Sequence, residues 1–356
     1  MNKSLIAGLM SGTSLDGLDI AICEFNKHGE NLDWQILKAG TISYDKAWSK
    51  KLQNAHEKRA TDLLKLHHEY GEFLGSSVIS FLSQFGIPKK DIAAISSHGH
   101  TVFHQPESKL TFQLGHGASI AAASGLPVFC DFRVQDVVLG GQGAPLVPVG
   151  DRLLFGKYDF CLNLGGIANV SMEDKGRRVA WDICPANMVL NYLTRQVGRA
   201  FDDKGAYSAR GTIIHDLLNE LNQLQYYSKP APKTLGREWV EREVLPLLEH
   251  YEIPVMDKLA TFTEHVAIQI SKAIDNYKGS NILITGGGAF NDFLINRINK
   301  WANVSVILPE QQIIDYKEAL IFALLGYLKM HNQQNVFGAV TGAKKDHISG
   351  VEYKIQ

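Results

Sequence analysis

The stretch GLMSGTSLDGLD, from Gly8 to Asp19, decides the fold, because it sets a glycine-rich turn between two apolar runs. Leu5 to Leu9 enters the turn, and Leu18 to Phe25 leaves it with apolar residues at nearly every second position. Alternation with period 2 is typical of a β-strand. The two runs therefore predict a β-hairpin whose turn carries glycines, hydroxyls and acids in place of bulky side chains.

The same order of elements recurs in the second half of the chain. After the first hairpin, a third strand is expected at Trp34 to Ala39. In the second half, the apolar runs Asp159 to Leu164 and Ala168 to Met172 flank a Gly-Gly turn, and Arg178 to Ile183 follows as a third strand. The halves share no residue-level identity, so the repeat that we predict is one of topology.

Further elements are predicted from periodicity and from helix-capping residues. They are a helix with Thr61 as N-cap that ends before Gly86, a strand at Ile92 to Ser96 that stops at SHGHT, a helix at Ala118 to Ser124, a strand at Pro127 to Phe132, a helix starting near Pro185, a helix at Leu259 to Tyr277, strands at Asn281 to Thr285 and Val304 to Leu308, and a helix at Tyr316 to Met330.

Composition narrows the class of protein. The chain has 356 residues, of which 45% are apolar, enough for two ordinary cores. Its formal net charge of −1 gives no sign of a nucleic-acid partner or an acidic membrane surface. The four cysteines form no CxxC pair, which favours buried free thiols in a reducing compartment. No apolar run is long enough for a membrane span or a signal peptide, so we expect a cytoplasmic protein.

The glycine turn of the first hairpin has the chemistry of a phosphate site. Main-chain N–H groups that converge in such a turn can hold an anion, and Thr13 and Ser14 add hydroxyl donors. Asp16 and Asp19 would repel a phosphate unless a cation lies between them, and Mg²⁺ is the usual one. The alternative is an ordinary polar turn stabilised by side-chain caps.

Two more glycine turns follow apolar strands. Gly165 and Gly166 lie in the second hairpin, and Gly286, Gly287 and Gly288 lie between a strand and a helix. Ligands of open α/β sheets gather where strands end in such turns. The sequence contains neither GxxxxGK[ST] nor GxGxxG. The three turns together predict one nucleotide held between two similar lobes.

Two acids stand out against apolar surroundings. Asp182 ends the apolar run RRVAWD just before Pro185, which suits a general base as well as a helix N-cap. Glu318 lies on the apolar helix YKEALIFALLG and is either a solvated side chain or an acid of the site. A kinase needs such a carboxylate to take a proton, together with Mg²⁺ and alignment of the phosphates.

The chain resembles the anhydro-N-acetylmuramic acid kinases over nearly its whole length. The motifs that carry the resemblance are GLMSGTSLDGLD, SSHGHTVFHQP, TFQLG, DFRVQDVVLGGQGAPLVP, NLGGIANVS, WDICPANMVLN, GREW, TGGGAFN and EALIFALLG. Each glycine motif alone is weak, but their combination is specific to this family.

The resemblance implies an α/β protein with a two-lobed actin-like ATPase (ribonuclease H-like) fold, as in the actin/hexokinase/Hsp70 superfamily. Each lobe would be a mixed five-stranded sheet flanked by helices. Residues 1–130 would form the N-terminal lobe, completed by 331–356, and residues 131–330 the C-terminal lobe. ATP and a sugar would bind in the cleft between them, and a homodimer is expected.

The reaction implied by the resemblance uses ATP and Mg²⁺ to open 1,6-anhydro-N-acetylmuramic acid and phosphorylate O6, giving N-acetylmuramic acid 6-phosphate in peptidoglycan recycling. Asp182 would be the catalytic base that activates water for attack on C1. The sugar would contact His98, Thr101, Asn187 and Glu318, and Asp16 would hold Mg²⁺. The residues expected to bind ATP are Gly12, Thr13, Ser14, Leu15, Asp16, Gly17, Leu18, Asp19, Gly165, Gly166, Gly286, Gly287 and Gly288.

Several positions depart from the family's pattern, and they keep alternatives open. Ile183, Cys184 and Ala186 replace a threonine and glycines beside Asp182, His100 replaces a glutamine, and Thr234-Leu235 replaces a serine-threonine pair. One alternative is therefore a kinase of a related sugar, and another is a non-catalytic ATP-binding member of the superfamily.

A third alternative is a metal hydrolase. His98 and His100, followed by His104, would share one face of a regular strand and could ligate a metal ion. No acid or cysteine lies near them in the sequence to complete the set of ligands.

Overall fold

The protein is described by a computed structural model that covers residues 3–12, 15–29, 31–231, 233–274 and 279–355. The described residues form two compact units. The first unit comprises those of Met1–Leu154 and Tyr316–Gln356, and the second those of Phe155–Asp315.

The elements are numbered in chain order. The strands are β1 (Lys3–Ser11), β2 (Gly17–His28), β3 (Asn31–Ser43), β4 (Ile92–Gln105), β5 (Leu110–Leu114), β6 (Val128–Cys130), β7 (Phe160–Leu164), β8 (Ile167–Asp174), β9 (Arg177–Pro185), β10 (Asn281–Thr285), β11 (Ser305–Ile307) and β12 (Val351–Tyr353). The helices are α1 (Lys46–Gln53), α2 (Ala60–Gln84), α3 (Gly117–Ser124), α4 (Val134–Val138), α5 (Val147–Leu154), α6 (Asn187–Arg195), α7 (His215–Gln223), α8 (Arg237–Trp239), α9 (Leu245–His250), α10 (Val255–Ile274), α11 (Asp292–Trp301), α12 (Gln311–Met330) and α13 (Gly338–Thr341).

Each unit contains one mixed sheet, and the two sheets share a strand order. In the first unit the order is β12-β6-β4-β1-β2-β3, with β5 paired to β4. In the second it is β11-β10-β7-β8-β9. In both, three consecutive antiparallel strands are followed by strands that pair in parallel with the first of the three. The topological repeat and the two-lobed, ribonuclease H-like fold class are therefore confirmed.

The first sheet is larger than the five strands expected. Among the described residues it has seven, because β5 folds back on β4 as an antiparallel strand and β12 from the C-terminal segment pairs with β6. Both additions lie outside the order that the two units share. The five-stranded unit is thus present in each half, with two extra strands in the first.

The division between the units differs from the one expected at residues 130 and 331. Segments 131–154 and 316–330 pack within the first unit. The hydroxyl of Thr341 donates to Asp136 Oδ1 at 2.7 Å, and the hydroxyl of Ser96 donates to the carbonyl of Phe322 on α12. The first contact ties segment 131–154 to the C-terminal segment of the same unit, and the second ties α12 to β4 of the N-terminal sheet.

Close packing of α12 on β1 and β4 depends on two glycines. A Cβ at Gly8 would lie 2.0 Å from the carbonyl oxygen of Ala319, and a Cβ at Gly326 would lie 2.5 Å from Ser96 Cβ. Real side chains do not approach that closely, so only glycine lets the helix backbone lie against these strands. The position of Glu318 on α12 is set by this contact.

Three predicted boundaries are wrong. Helix α2 begins after Arg59, which makes no side-chain cap, and Thr61 lies within its first turn. Strand β4 does not stop at SHGHT but continues to Gln105, because β5 supplies a partner beyond His100. Pro185 is the last residue of β9, and α6 begins at Asn187 with Ala186 as N-cap, so Asp182 caps no helix.

Other expectations are confirmed. Gly125 ends α3 in the left-handed conformation, and the four cysteines are free and buried. Helix α10 covers most of its predicted range; residues 275–278 at its predicted end lie outside the described part of the chain. Within the described ranges, none of the helices combines the length and the apolar character needed to cross a bilayer.

Candidate active site

The loop of the first hairpin joins β1 to β2 and presents its acids at the end of the sheet. Asp16 is exposed, and Asp19 is half-buried and accepts a hydrogen bond from the hydroxyl of Thr41 at 2.6 Å. Inside the loop, the N–H of Leu15 donates to Gly12 O at 3.5 Å, and Leu15 has a positive φ of 59°. The predicted hydroxyl donors Thr13 and Ser14 lie outside the described residues.

Not every residue of this stretch can offer its side chain to a ligand. Leu18 is fully buried and packs in the core of the first unit. Gly17 faces β3, where an added Cβ would lie 2.5 Å from Thr41 Cγ2. Gly17 and Leu18 could therefore contact a phosphate only through main-chain atoms. Packing against β3 already explains why residue 17 is a glycine.

The two acids suit a divalent cation. Both carboxylates are close enough to Tyr44 to raise the pKa of its phenol, although burial contributes more to that shift. Carboxylate oxygens are the ligands that Mg²⁺ prefers, and Asp16 is exposed to solvent.

In the second unit, the Gly165-Gly166 turn is bound to the start of α6. The N–H of Asn187 donates to Gly165 O at 3.1 Å, and those of Ala186 and Met188 donate to Gly166 O at 2.9 and 3.1 Å. The first amides of α6 are thus satisfied by the turn. An added Cβ at Gly166 would meet nothing closer than Met188 at 3.7 Å, so the outer side of the turn is open.

Leu164, the last residue of β7, joins this turn to the triple glycine. Its carbonyl accepts from Asn187 Nδ2 at 3.0 Å. A Cβ at Gly286 would lie 2.9 Å from that carbonyl oxygen, and a Cβ at Gly288 would lie 2.6 Å from Leu164 Cβ. The structure therefore brings together the predicted residues Gly165, Gly166, Asn187, Gly286, Gly287 and Gly288.

Different physical reasons account for glycine at the three positions of the triple-glycine turn. Gly286 has a positive φ of 83°, and Gly288 is buried against Leu164. Gly287 is exposed, and an added Cβ would meet only Asn187 Nδ2, at 3.7 Å. Packing explains Gly286 and Gly288, whereas Gly287 is the one whose open face suits a ligand.

Asp182 lies within β9 and is held by the segment 233–235. Its N–H donates to Lys233 O at 2.9 Å, and its Oδ2 accepts from the N–H of Leu235 at 2.8 Å. Its carbonyl accepts from the hydroxyl of Tyr226 at 2.7 Å. Burial raises the pKa of the carboxyl, and the Leu235 N–H offsets part of that rise. A half-buried, oriented carboxylate with a raised pKa has the properties of a general base.

The residues that depart from the family's pattern beside Asp182 belong to the core. Ile183, Cys184 and Ala186 are all buried in the hydrophobic cluster of the second unit. Burial also raises the pKa of the Cys184 thiol, so it stays protonated. Their added side chains are accommodated by apolar packing.

In the first unit, His98 and Glu318 lie around a half-buried arginine, Arg133. Arg133 Nε donates to His98 Nε2 at 2.9 Å, and its Nη1 donates to Gly143 O at 2.6 Å. Burial lowers the pKa of Arg133 to about 10, while Glu318 and Asp136 raise it. Desolvation by the surrounding protein raises the pKa of the Glu318 carboxyl, and the charges of Arg133 and Lys317 lower it. The side chain is nevertheless exposed to solvent.

The same arginine fixes the state of His98. Burial and the Arg133 charge hold the pKa of His98 well below its usual range, so the ring is neutral. Because Nε2 accepts from Arg133, the ring proton is on Nδ1. The ring also packs against Phe322 with centroids 4.7 Å apart. The predicted residue Thr101 is half-buried in β4 and accepts from Gln113 Nε2 at 3.4 Å.

The three histidines of HGHTVFH do not converge. Gly99 has a positive φ of 75°, which breaks the regular alternation of the strand. His98 binds Arg133, the His100 Nδ1 lies 3.0 Å from Ser11 Oγ, and the His104 Nδ1 lies 3.1 Å from Thr111 Oγ1. In the described part of the chain, no group of three or more His, Cys, Asp or Glu residues could hold a metal ion.

Sequence reasoning missed Arg133 and Tyr44. Arg133 stands in the motif DFRVQD, where an arginine two residues after an acid gives no sign that it will bind a histidine 35 positions away. Tyr44 directly follows β3, and its contacts to the first hairpin appear only once three strands are paired. No local pattern would have identified either.

Comparisons with known proteins point to one family. The family model described as anhydro-N-acetylmuramic acid kinase matches residues 4–355. A curated protein of that name from Aliivibrio fischeri is 36% identical, over 97% of this chain and 98% of the relative. The relative from Actinobacillus pleuropneumoniae serotype 7 is 32% identical, over 99% of this chain and 100% of the relative. The relative from Vibrio vulnificus is 34% identical, over 99% of this chain and 98% of the relative.

Proposed function

The chain belongs to the anhydro-N-acetylmuramic acid kinase family, and we propose that it converts 1,6-anhydro-N-acetylmuramic acid, ATP and water into N-acetylmuramic acid 6-phosphate and ADP. In this reaction water attacks C1 of the sugar, the C1–O6 bond breaks, and O6 takes the γ-phosphoryl group of ATP. One proton leaves the attacking water. The protein must therefore supply a base, a phosphate site and groups that orient the sugar.

Asp182 is the base of this proposal. The Leu235 N–H holds Oδ2, which fixes the orientation of the carboxylate toward one position for the attacking water. Burial raises the pKa of Asp182, which makes the ionised carboxylate a stronger base. Water becomes a much stronger nucleophile as its proton passes to Asp182, at the moment when C1 gains positive charge.

The phosphates of ATP are assigned to the glycine turns. We assign the main-chain N–H groups of residues 12–16 to the phosphates, and Gly287 and Gly166 offer faces without a side chain. Asp16 would hold Mg²⁺, which neutralises phosphate charge when bound. Gly12, Leu15, Gly17 and Leu18 would contribute main-chain atoms only.

The sugar is assigned to hydrogen-bonding side chains on both β4 and α12. His98 donates through Nδ1 because Arg133 occupies its Nε2. Glu318 accepts hydroxyl hydrogen bonds, and its solvent-open carboxylate is available to a polar ligand. Thr101 and Asn187 are further candidates, and Asn187 already uses Nδ2 for Leu164, so its Oδ1 would be the contacting atom.

The observation that carries the proposal is the oriented carboxylate of Asp182 in a chain that belongs to this family. The departures Ile183, Cys184 and Ala186 do not weaken it, because all three are absorbed into the core. A role in peptidoglycan recycling, a homodimer and a cytoplasmic location stay predictions.

The test is the ADP released from ATP and Mg²⁺ with and without the anhydro sugar, together with the mass of the product. The wild type should release ADP only with the sugar and form a 6-phosphate. Asp182→Asn should lower kcat by at least about 10²-fold while leaving the Kd for ATP unchanged. Asp174→Asn, an exposed acid of the neighbouring strand β8, is the matched control and should retain full activity.

Retained turnover in Asp182→Asn would remove Asp182 from the role of base. Turnover by the wild type with N-acetylglucosamine but not with the anhydro sugar would favour the related-sugar alternative. ATP binding without any turnover would favour the non-catalytic alternative.

A further inference from the structure

We propose that Tyr44 is a positioning residue that clamps both ends of the loop of residues 12–16 and thereby sets the affinity for ATP. This inference rests on the assignment of that loop to the ATP phosphates. It adds a residue that neither the motifs nor the family resemblance singled out.

Tyr44 reaches the two ends of the loop with two different groups. Its main-chain N–H donates to Asp16 O at 3.3 Å, where the chain enters β2. Its phenol donates to Ser11 Oγ at 2.8 Å, on the last residue of β1. One residue thus fixes the start and the end of a turn of five residues.

The phenol of Tyr44 belongs to a chain of four hydrogen-bonding groups. Its oxygen lies 2.6 Å from the hydroxyl of Tyr70, and Ser11 Oγ lies 3.0 Å from His100 Nδ1. Tyr44 is 9% exposed and the other three residues less. Buried polar groups without water depend on one another, so a missing member leaves its neighbour unsatisfied.

The protonation of these groups sets the direction in which the four hydrogen-bonding groups donate. Burial raises the pKa of both phenols, which therefore keep their protons. Burial lowers the pKa of His100 to about 4, so its ring is neutral and Nδ1 can accept. Tyr70 then donates to Tyr44, Tyr44 to Ser11, and Ser11 to His100. Three members each donate one hydrogen bond, and His100 accepts the last one.

The ring of Tyr44 is held as firmly as its hydroxyl. It lies 5.9 Å from the ring of Phe73 and 6.4 Å from that of Tyr70, both on α2. Trp48 of α1 packs on the same two rings, at 4.8 and 5.6 Å. The clamp is therefore anchored in the aromatic cluster of the first unit.

The test compares Tyr44→Phe with Tyr70→Phe, and it measures the Kd for ATP–Mg²⁺ by calorimetry in the absence of sugar. Tyr44→Phe keeps the ring and the main-chain bond but loses the bond to Ser11. One such bond is worth about 0.5–1.5 kcal/mol, so the Kd should rise about 3- to 10-fold. Tyr70→Phe removes the neighbouring hydroxyl and leaves the Ser11 bond, so its Kd should stay within about twofold of the wild type.

Two further measurements separate positioning from general stability. In the kinase assay, Tyr44→Phe should raise KM for ATP and leave KM for the sugar unchanged, whereas a loss of folded protein would lower kcat alone. Ser11→Ala should raise the Kd by a similar factor, and the double variant Ser11→Ala/Tyr44→Phe should be no worse than either single variant, because both break the same bond.

The inference is overturned if Tyr44→Phe binds ATP as the wild type does, or if Tyr70→Phe weakens binding equally. If the proposed function is wrong, the binding and kinase assays give a different set of results. A wild type that binds ATP but phosphorylates no sugar would refute the reaction, while the comparison of Kd values would still test the clamp. A wild type that binds no ATP would overturn both.

Discussion

The main-chain N–H of Leu235 donates to Oδ2 of Asp182 at 2.8 Å, across 53 positions of the sequence. Two residues earlier, Lys233 accepts the main-chain N–H of the same aspartate at 2.9 Å. The short segment 233–235 therefore holds both the backbone and the carboxylate of the proposed base. Since the bond to Oδ2 comes from a main-chain group, the leucine found here serves as well as a hydroxyl-bearing residue.

This bond has a consequence for the pH dependence of the reaction. Burial raises the pKa of Asp182 and the Leu235 N–H lowers it, and a base must be ionised to act. The kcat should therefore fall as pH decreases through the raised pKa. Leu235→Pro, which has no N–H, should move this acid limb to higher pH, because the bond that lowers the pKa of Asp182 is lost.

The matched control is Leu235→Ala, which keeps the N–H. It removes buried apolar volume and should lower thermal stability, but its kcat–pH profile should keep the limb of the wild type. Profiles that coincide for the proline and alanine variants would show that this bond does not tune the base.

The triple glycine allows a prediction that separates packing from ligand contact. Gly287→Ala should leave the melting temperature within about 2 °C, because an added methyl group meets only Asn187 Nδ2 at 3.7 Å, and should weaken ATP binding. Gly288→Ala should cost about 1–3 kcal/mol of stability, because its methyl group would lie 2.6 Å from Leu164 Cβ. Thermal unfolding and ATP calorimetry measure both effects. Unchanged ATP affinity in Gly287→Ala would exclude that glycine from the nucleotide site.

His100 is expected to work as an acceptor, which makes its replacement predictable. A glutamine can accept the Ser11 hydroxyl through Oε1, so His100→Gln should keep the ATP affinity of the wild type. His100→Leu cannot accept and should raise the Kd for ATP several-fold. Calorimetry at pH 7 compares the two. Equal losses in both variants would mean that the ring shape, and not the acceptor, is what matters.

A buried histidine of the second unit should make the protein sensitive to acid. His265 is fully buried between Asn222 and Tyr227, and burial lowers its pKa to about 3. In the unfolded chain it titrates near its usual value of about 6.5. Below that pH His265 is protonated in the unfolded chain but stays neutral in the folded protein. The free energy of unfolding therefore falls as pH decreases from about 6.5 toward 3.

The size of this effect follows from the linkage. Between pH 6.5 and 5 the histidine should account for about 2 kcal/mol of lost stability. Urea unfolding at the two pH values should show a smaller loss for His265→Gln, whose amide can bond to the same partners. The exposed His250→Gln is the control and should keep the slope of the wild type. A slope that is the same in all three proteins would contradict the assignment.

The parts of the fold that were predicted from sequence are those with local causes. Both hairpins and the buried strand β10 were found because alternation and glycine turns lie within a few residues of one another. The extension of β4 past Gly99 was missed, since the strand continues there only because β5 pairs with it. Strand β12 was missed for the same reason: its partner β6 lies more than 200 positions earlier.

The residues of the candidate site that stood out in the sequence are also those with local causes. The glycine turns and Asp182 stood out because their residue types are unusual beside apolar strands. Arg133 and Tyr44 did not, because an arginine or a tyrosine in a loop has many roles, and theirs arise from contacts between distant segments. The predicted contribution of Leu18 is limited to its main chain, because period-2 alternation directs its side chain into the core.

The absence of a side chain at Gly8 sets the distance between strand β1 and helix α12. Since the carbonyl of Ala319 fills the place where a methyl group would stand, even the smallest substitution would lift α12 away from β1. Glu318, one position earlier, would move with it. A mutation four residues before the loop could therefore impair sugar recognition without touching any ligand, and selection at this site would act on the distance between two backbones.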